Sequence, residues 1–103
     1  MSADLVEASG RVLDAVVAQM GGSPREGQAS MVAEGAAALE DRQHLLVQAG
    51  TGTGKSLGYL VPLLTHCAVS GVRGLVSTAT LALQRQILVK DAPVAVDAVA
   101  SAT

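Results

Sequence analysis

The sequence predicts an α/β fold: a parallel sheet, only the first part of its domain, preceded by two helices. Three observations carry this expectation. Leu45, Leu46, Val47, Gln48 and Ala49 make a short, almost unbroken apolar run, the pattern of a strand buried on both faces. A glycine and threonine loop follows at once and opens into residues 56–69, a stretch long enough for a helix. After a turn at 71–74, Leu75, Val76, Ser77 and Thr78 read as a second strand. Strand, loop, helix and strand form a βαβ unit, whose crossover is right-handed.

The elements follow in the order ααβαβα. From Leu5, the apolar positions Val12, Leu13, Val16, Val17 and Met20 recur at helical spacing until Gly21 and Gly22 stop the pattern. Ser23 and Pro24 restart the chain as a cap and a first helical residue. Gln28, Met31, Val32, Gly35, Ala36 and Leu39 then trace one face of a second helix that ends near Asp41. In the helix after the loop, Pro62 cannot donate to the carbonyl of Gly58, so a kink is expected there. Leu81, Leu83, Gln84, Ile87 and Leu88 suit a last helix, which Pro93 is expected to end. The Ala/Val-rich tail beyond Asp91 carries too little pattern to assign. Residues 1–22 form an amino-terminal helix and 23–103 begin a larger domain, because two strands do not complete a parallel sheet.

Composition narrows the function. Half of the 103 residues are apolar, yet Tyr59 is the only aromatic, so the core must come from Ala, Val and Leu. Charged residues make up 16%, far from the composition of a disordered chain. The longest mostly apolar stretch, 57–69, contains Pro62, Thr65 and His66 and is shorter than the roughly 20 residues of a membrane span. Asp4 and Glu7 near the start do not suit a secretory signal, so a cytoplasmic protein with no membrane partner is expected. Cys67 stands alone, which excludes an internal disulfide and a multi-cysteine metal site; it reads as a small core residue. The net charge is -2, with the basic excess confined to the part after Gln48. No dense basic patch marks a module that binds nucleic acid by charge alone.

The informative segment is Ala49, Gly50, Thr51, Gly52, Thr53, Gly54, Lys55 and Ser56, which matches the Walker A P-loop pattern G-x-x-x-x-G-K-S/T with alanine at the first position. Glycines at 50, 52 and 54 let successive N–H groups turn toward one anion. A helix starting near Gly54 adds the positive end of its dipole. Lys55 supplies an ammonium for the β- and γ-phosphates, making it the candidate catalytic residue, and the Ser56 hydroxyl can ligate Mg2+. An apolar run before the loop and a helix after it set the motif apart from a chance glycine turn.

Three segments then line up: residues 24–31 around Arg25 and Gln28, residues 48–62 with the continuation GKSLGYLVP, and residues 76–87 with Ser77, Thr78, Thr80 and Gln84. Together they resemble the amino-terminal part of the DinG/XPD-type superfamily 2 ATP-dependent DNA helicases, over roughly residues 24–93. The resemblance implies a RecA-like P-loop NTPase sheet, with 23–103 as the incomplete start of motor domain 1. It implies ATP and Mg2+ as ligands and movement along single-stranded DNA driven by ATP hydrolysis, in repair or replication. By the same resemblance Arg25 and Gln28 match the glutamine motif, where the Gln amide pairs with the adenine edge. Ser77, Thr78, Thr80 and Gln84 match motif Ia, whose hydroxyls and backbone amides hold DNA phosphates. Capping of a helix by Ser77, Thr78 or Thr80 is the alternative.

The pattern departs from the family in small ways at Ala49 and at Gly58, which would ease the bend at Pro62. It lacks the acidic D-E-x-H motif, an arginine finger and cluster-binding cysteines, which in the family lie downstream; an iron–sulfur cluster belongs only to such a region. This segment alone is therefore expected not to turn over ATP. Two other readings remain open on the residues: another P-loop NTPase in which Gln28 and the Ser/Thr segment are structural, and a truncated nucleotide-binding fragment without activity.

Overall fold

The computed structural model describes residues 2–22, 25–48 and 54–102, and those residues form helices and connecting segments. The order is α1 (Ser2–Met20), α2 (Glu26–Glu40), α3 (Lys55–Ser70), α4 (Leu81–Gln86), a π-helical segment (Ile87–Asp91) and α5 (Ala92–Ala102). The expected cap and first helical residue, Ser23 and Pro24, lie outside the described residues.

The apolar stripe of α1 is its buried face: Leu5, Val12, Leu13 and Val16 are almost fully covered. Its end follows from glycine. Gly21 adopts φ 70°, its N–H donates to the Ala18 carbonyl, and the Gly22 N–H donates to Val17, so two orphan carbonyls are satisfied by a Schellman turn. Helix α2 ends the same way, but with Arg42 in the left-handed position at φ 57° while Arg42 and Gln43 donate to Leu39 and Ala38. Helix α3 ends at Gly71, φ 71°, whose N–H reaches the Cys67 carbonyl.

Helices α2 and α3 approach closely because glycines face bulk on the other side. A Cβ on Gly35 would stand 3.2 Å from Pro62 Cγ, and one on Gly58 would stand 2.6 Å from Met31 Sδ. Gly58 thus makes room for Met31 rather than only easing a bend. The core between α1, α2, α3 and α5 comprises Val12, Leu13, Val16, Val32, Leu57, Leu60, Val61, Ile87, Ala95, Ala98 and Val99, all aliphatic. Tyr59 packs at its margin.

Two expectations are overturned. The first is the parallel sheet of a P-loop, RecA-like α/β fold: among the described residues there is no strand. Of the first expected strand, Ala49 lies outside the described residues, while Leu46 is 99% exposed, and Leu75 in the second is 90% exposed. Leu45, Val47, Leu75 and Val76 border one cavity, yet no backbone hydrogen bond joins their two segments among the described residues. The physical reason is local closure. A helix satisfies its N–H and C=O groups within itself, whereas a strand needs a ladder partner, and a two-stranded pairing is marginal. An apolar run signals a buried strand only when two faces are covered, and here they are not.

The second is the end at Pro93. The helical path continues past it into α5, which packs on α1 and α3. Pro93 has no N–H and its ring crowds the carbonyl four residues back. Immediately before it the ladder widens, with the Ala92 N–H donating to the Ile87 carbonyl five residues back. Pro93 then lies in the first turn of α5, where a missing donor costs least.

Candidate functional site

Helix α3 begins at Gly54, whose φ of 82° and ψ of 48° are left-handed and unstrained only without a side chain. Its carbonyl is doubly occupied: the Gly58 N–H donates at 3.0 Å and the Gln28 side-chain amide, Nε2, donates at 3.1 Å. Gln28 lies on α2 and is 6% exposed, so this bond crosses between helices in a nearly dry setting. Arg25, at the amino-terminal cap of α2, brings Nη1 to 3.5 Å from where a Cβ on Gly54 would stand. Arg25 and Gln28 from the start of α2 therefore both reach the glycine at the start of α3.

Around that point lies a cleft of about 230 Å³ lined in part by Arg25, Gln28, Gly54, Lys55 and Ser56. Lys55 and Ser56 occupy the first turn of a 16-residue helix, where N–H groups lack intrahelical acceptors and the dipole is positive. A Cβ at residue 54 would run into the Gln28 amide at this cleft, whose lining also includes Lys55 and Ser56. The chemistry suits a phosphate group and its metal ion. Of the other P-loop residues, Ala49, Gly50, Thr51, Gly52 and Thr53 lie outside the described residues.

Part of the lining gave no signal in the sequence. Gln86, Lys90 and Asp91 line the same cleft, brought there by the π-helical segment. Gln86 Nε2 donates to Asp91 Oδ2 at 3.3 Å, and Asp91 is 8% exposed. Side chains five residues apart diverge on an α-helix but align on a π turn, so a 3.6-residue periodicity gave no signal for them.

Ser77, Thr78 and Gln84 share a second cleft of about 310 Å³ with Val76, Ile87 and Leu88. Thr80 is not brought into it; its hydroxyl caps α4 by accepting from the Leu83 N–H at 3.1 Å. Thr78 Oγ1 donates to the Thr80 carbonyl at 3.2 Å. For Thr80 and Thr78 the local structural role is thus visible, and Ser77 and Gln84 flank the same opening.

Comparison with known proteins adds the decisive observation. The DEAD/DEAH box helicase profile matches residues 25–91, from Arg25 through Asp91 and over more than half of the chain. The chain belongs to the DEAD/DEAH box helicase family. Within it, the similarity is to helicases of DinG type. The ATP-dependent helicase DinG of Mycobacterium tuberculosis (strain ATCC 25177 / H37Ra) is 50% identical over 91 residues, covering 88% of this chain and 14% of that protein. The ATP-dependent DNA helicase DinG of Salmonella typhimurium is 43% identical over 72 residues, covering 68% of this chain and 10% of the relative. A Bacillus subtilis relative named 3'-5' exonuclease DinG is 41% identical over 73 residues, 71% of this chain and 8% of its own length. The chain thus spans about one seventh or less of each of these relatives. No solved structure matches it. The matched range takes in every candidate site residue, including Gln86, Lys90 and Asp91, and leaves α1 outside it. Among the described residues no helix is long and apolar enough to cross a membrane.

Proposed function

We propose that this chain supplies the nucleotide-binding part of a DinG-type, ATP-dependent DNA helicase, with residues 1–22 as an amino-terminal helix and 23–103 belonging to the first motor domain. The observation that carries the reading is the hydrogen bond from Gln28 to the Gly54 carbonyl, which ties the candidate adenine reader to the end of the phosphate loop. One amide N–H of Gln28 is engaged there; its second N–H and its oxygen remain a donor and acceptor pair suited to an adenine edge. Lys55 places its ammonium against the β- and γ-phosphates, and the first-turn amides of α3 hold the phosphate oxygens. Ser56 holds Mg2+, which neutralises phosphate charge when bound. Ser77, Thr78, Thr80 and Gln84 are the proposed contacts to the phosphates of single-stranded DNA, through hydroxyls and amides rather than net positive charge. Turnover and movement along DNA belong to the whole helicase, since this sequence contains no D-E-x-H acid to complete phosphoryl transfer.

The test is base selectivity. Titration of the 103-residue chain with Mg-ATP and Mg-GTP is expected to show preference for ATP, and Gln28→Ala is expected to weaken ATP more than GTP, removing most of that preference. Equal affinity for the two nucleotides in the unsubstituted chain would contradict the adenine role.

A further inference from the structure

The cleft at Gly54 has a wall that the P-loop and glutamine motif do not account for. It comes from the π-helical segment, where Ala92 N–H bonds to the Ile87 carbonyl and the helix is widened by one residue. Single π turns carry poorer hydrogen-bond geometry and are concentrated at functional sites. This one stacks Gln86 over Asp91, with a bond of 3.3 Å between them, and sets Lys90 beside them on the lining of the cleft. Lys90 is exposed, and among the described residues no ion pair holds its ammonium.

Charge singles it out further. The chain as a whole carries -2, yet the titratable residues that line this cleft are Arg25, Lys55 and Lys90 against Asp91 alone. The one carboxylate is already engaged by the Gln86 amide. Positive charge that the rest of the chain does not have is gathered where an anion would lie, on three separate elements.

We infer that Lys90 is a further phosphate-binding residue of the nucleotide cleft, presented by the π turn on the lining that Lys55 shares. The inference rests on the reading of the cleft as a nucleotide site and adds a residue outside its sequence motifs. Lys90 contacts phosphate oxygens as a point charge, so its contribution scales with the number of phosphates and is absent for the nucleoside.

Equilibrium titrations of the 103-residue chain with Mg-ATP and with adenosine test this, using Lys90→Gln, Lys90→Arg and Lys55→Ala. Lys90→Gln is expected to weaken Mg-ATP about tenfold and leave adenosine unchanged, and Lys90→Arg to stay within about twofold of the unsubstituted chain. Unchanged Mg-ATP affinity in Lys90→Gln, with Lys55→Ala still abolishing binding, overturns the inference and leaves the nucleotide site standing. Equal weakening of ATP and adenosine by Lys90→Gln also overturns it, because that marks a packing role. Failure of the unsubstituted chain to bind Mg-ATP overturns both.

Discussion

At Gly54 a side chain has no room. The backbone is left-handed, which costs a residue with a Cβ about 1 kcal/mol, and the added atom would meet the Gln28 amide and force it off the Gly54 carbonyl. Gly54→Ala is expected to lower stability by about 2 kcal/mol and to weaken Mg-nucleotide binding, read by thermal melting and titration; an unchanged melting temperature would contradict both the left-handed strain and the contribution of the bond from Gln28. The glycine was legible in the sequence because its spacing from Lys55 and Ser56 fixes it in the P-loop pattern. Its partner was legible only through resemblance, since nothing local to Gln28 distinguishes it from other polar residues on a helix. Lys90 and Asp91 were not legible at all. Their position depends on an i to i+5 register that no 3.6-residue pattern reports.

At the scale of elements, the helices follow from their stripes and caps. The glycines that end α1 and α3 are where the sequence places them, because a left-handed turn without a Cβ is a local property. The α2–α3 contact is set by Gly35 against Pro62, a close approach that reads in sequence only as two weak helix formers. Gly35→Leu is expected to wedge the pair apart at a cost of about 1–3 kcal/mol, seen as a lower melting temperature and lost protection of α3 amides in hydrogen exchange. A melting curve equal to that of the unsubstituted chain would contradict this packing. The strands failed for a non-local reason. Whether residues 45–49 and 75–78 pair depends on neighbours supplied elsewhere, and an apolar run carries no information about them. Pro93 misled in the opposite direction: a proline stops a helix only when the ladder cannot shift around it, and here the π turn shifts it.

At the scale of the molecule, α1, α2, α3 and α5 close an aliphatic core, and Arg25, Gln28, Lys55 and Ser56, the proposed nucleotide ligands among the described residues, line one cleft. The stretch from Gln84 to Asp91 borders both clefts, with Gln84, Ile87 and Leu88 toward the one holding Ser77 and Thr78, and Gln86, Lys90 and Asp91 toward the one holding Lys55. Family membership follows from the matched range 25–91, which takes in the polar and charged lining of the cleft at Gly54, while Val16, Val17, Met20 and Gly22 complete that lining from outside the range. This cleft is the proposed seat of the nucleotide's phosphates. Isothermal titration of the 103-residue chain with ATP, with Mg2+ and with chelator, beside Lys55→Ala, decides it. A saturable, Mg2+-dependent isotherm that Lys55→Ala abolishes is the predicted result; no binding, or equal binding by Lys55→Ala, would contradict it.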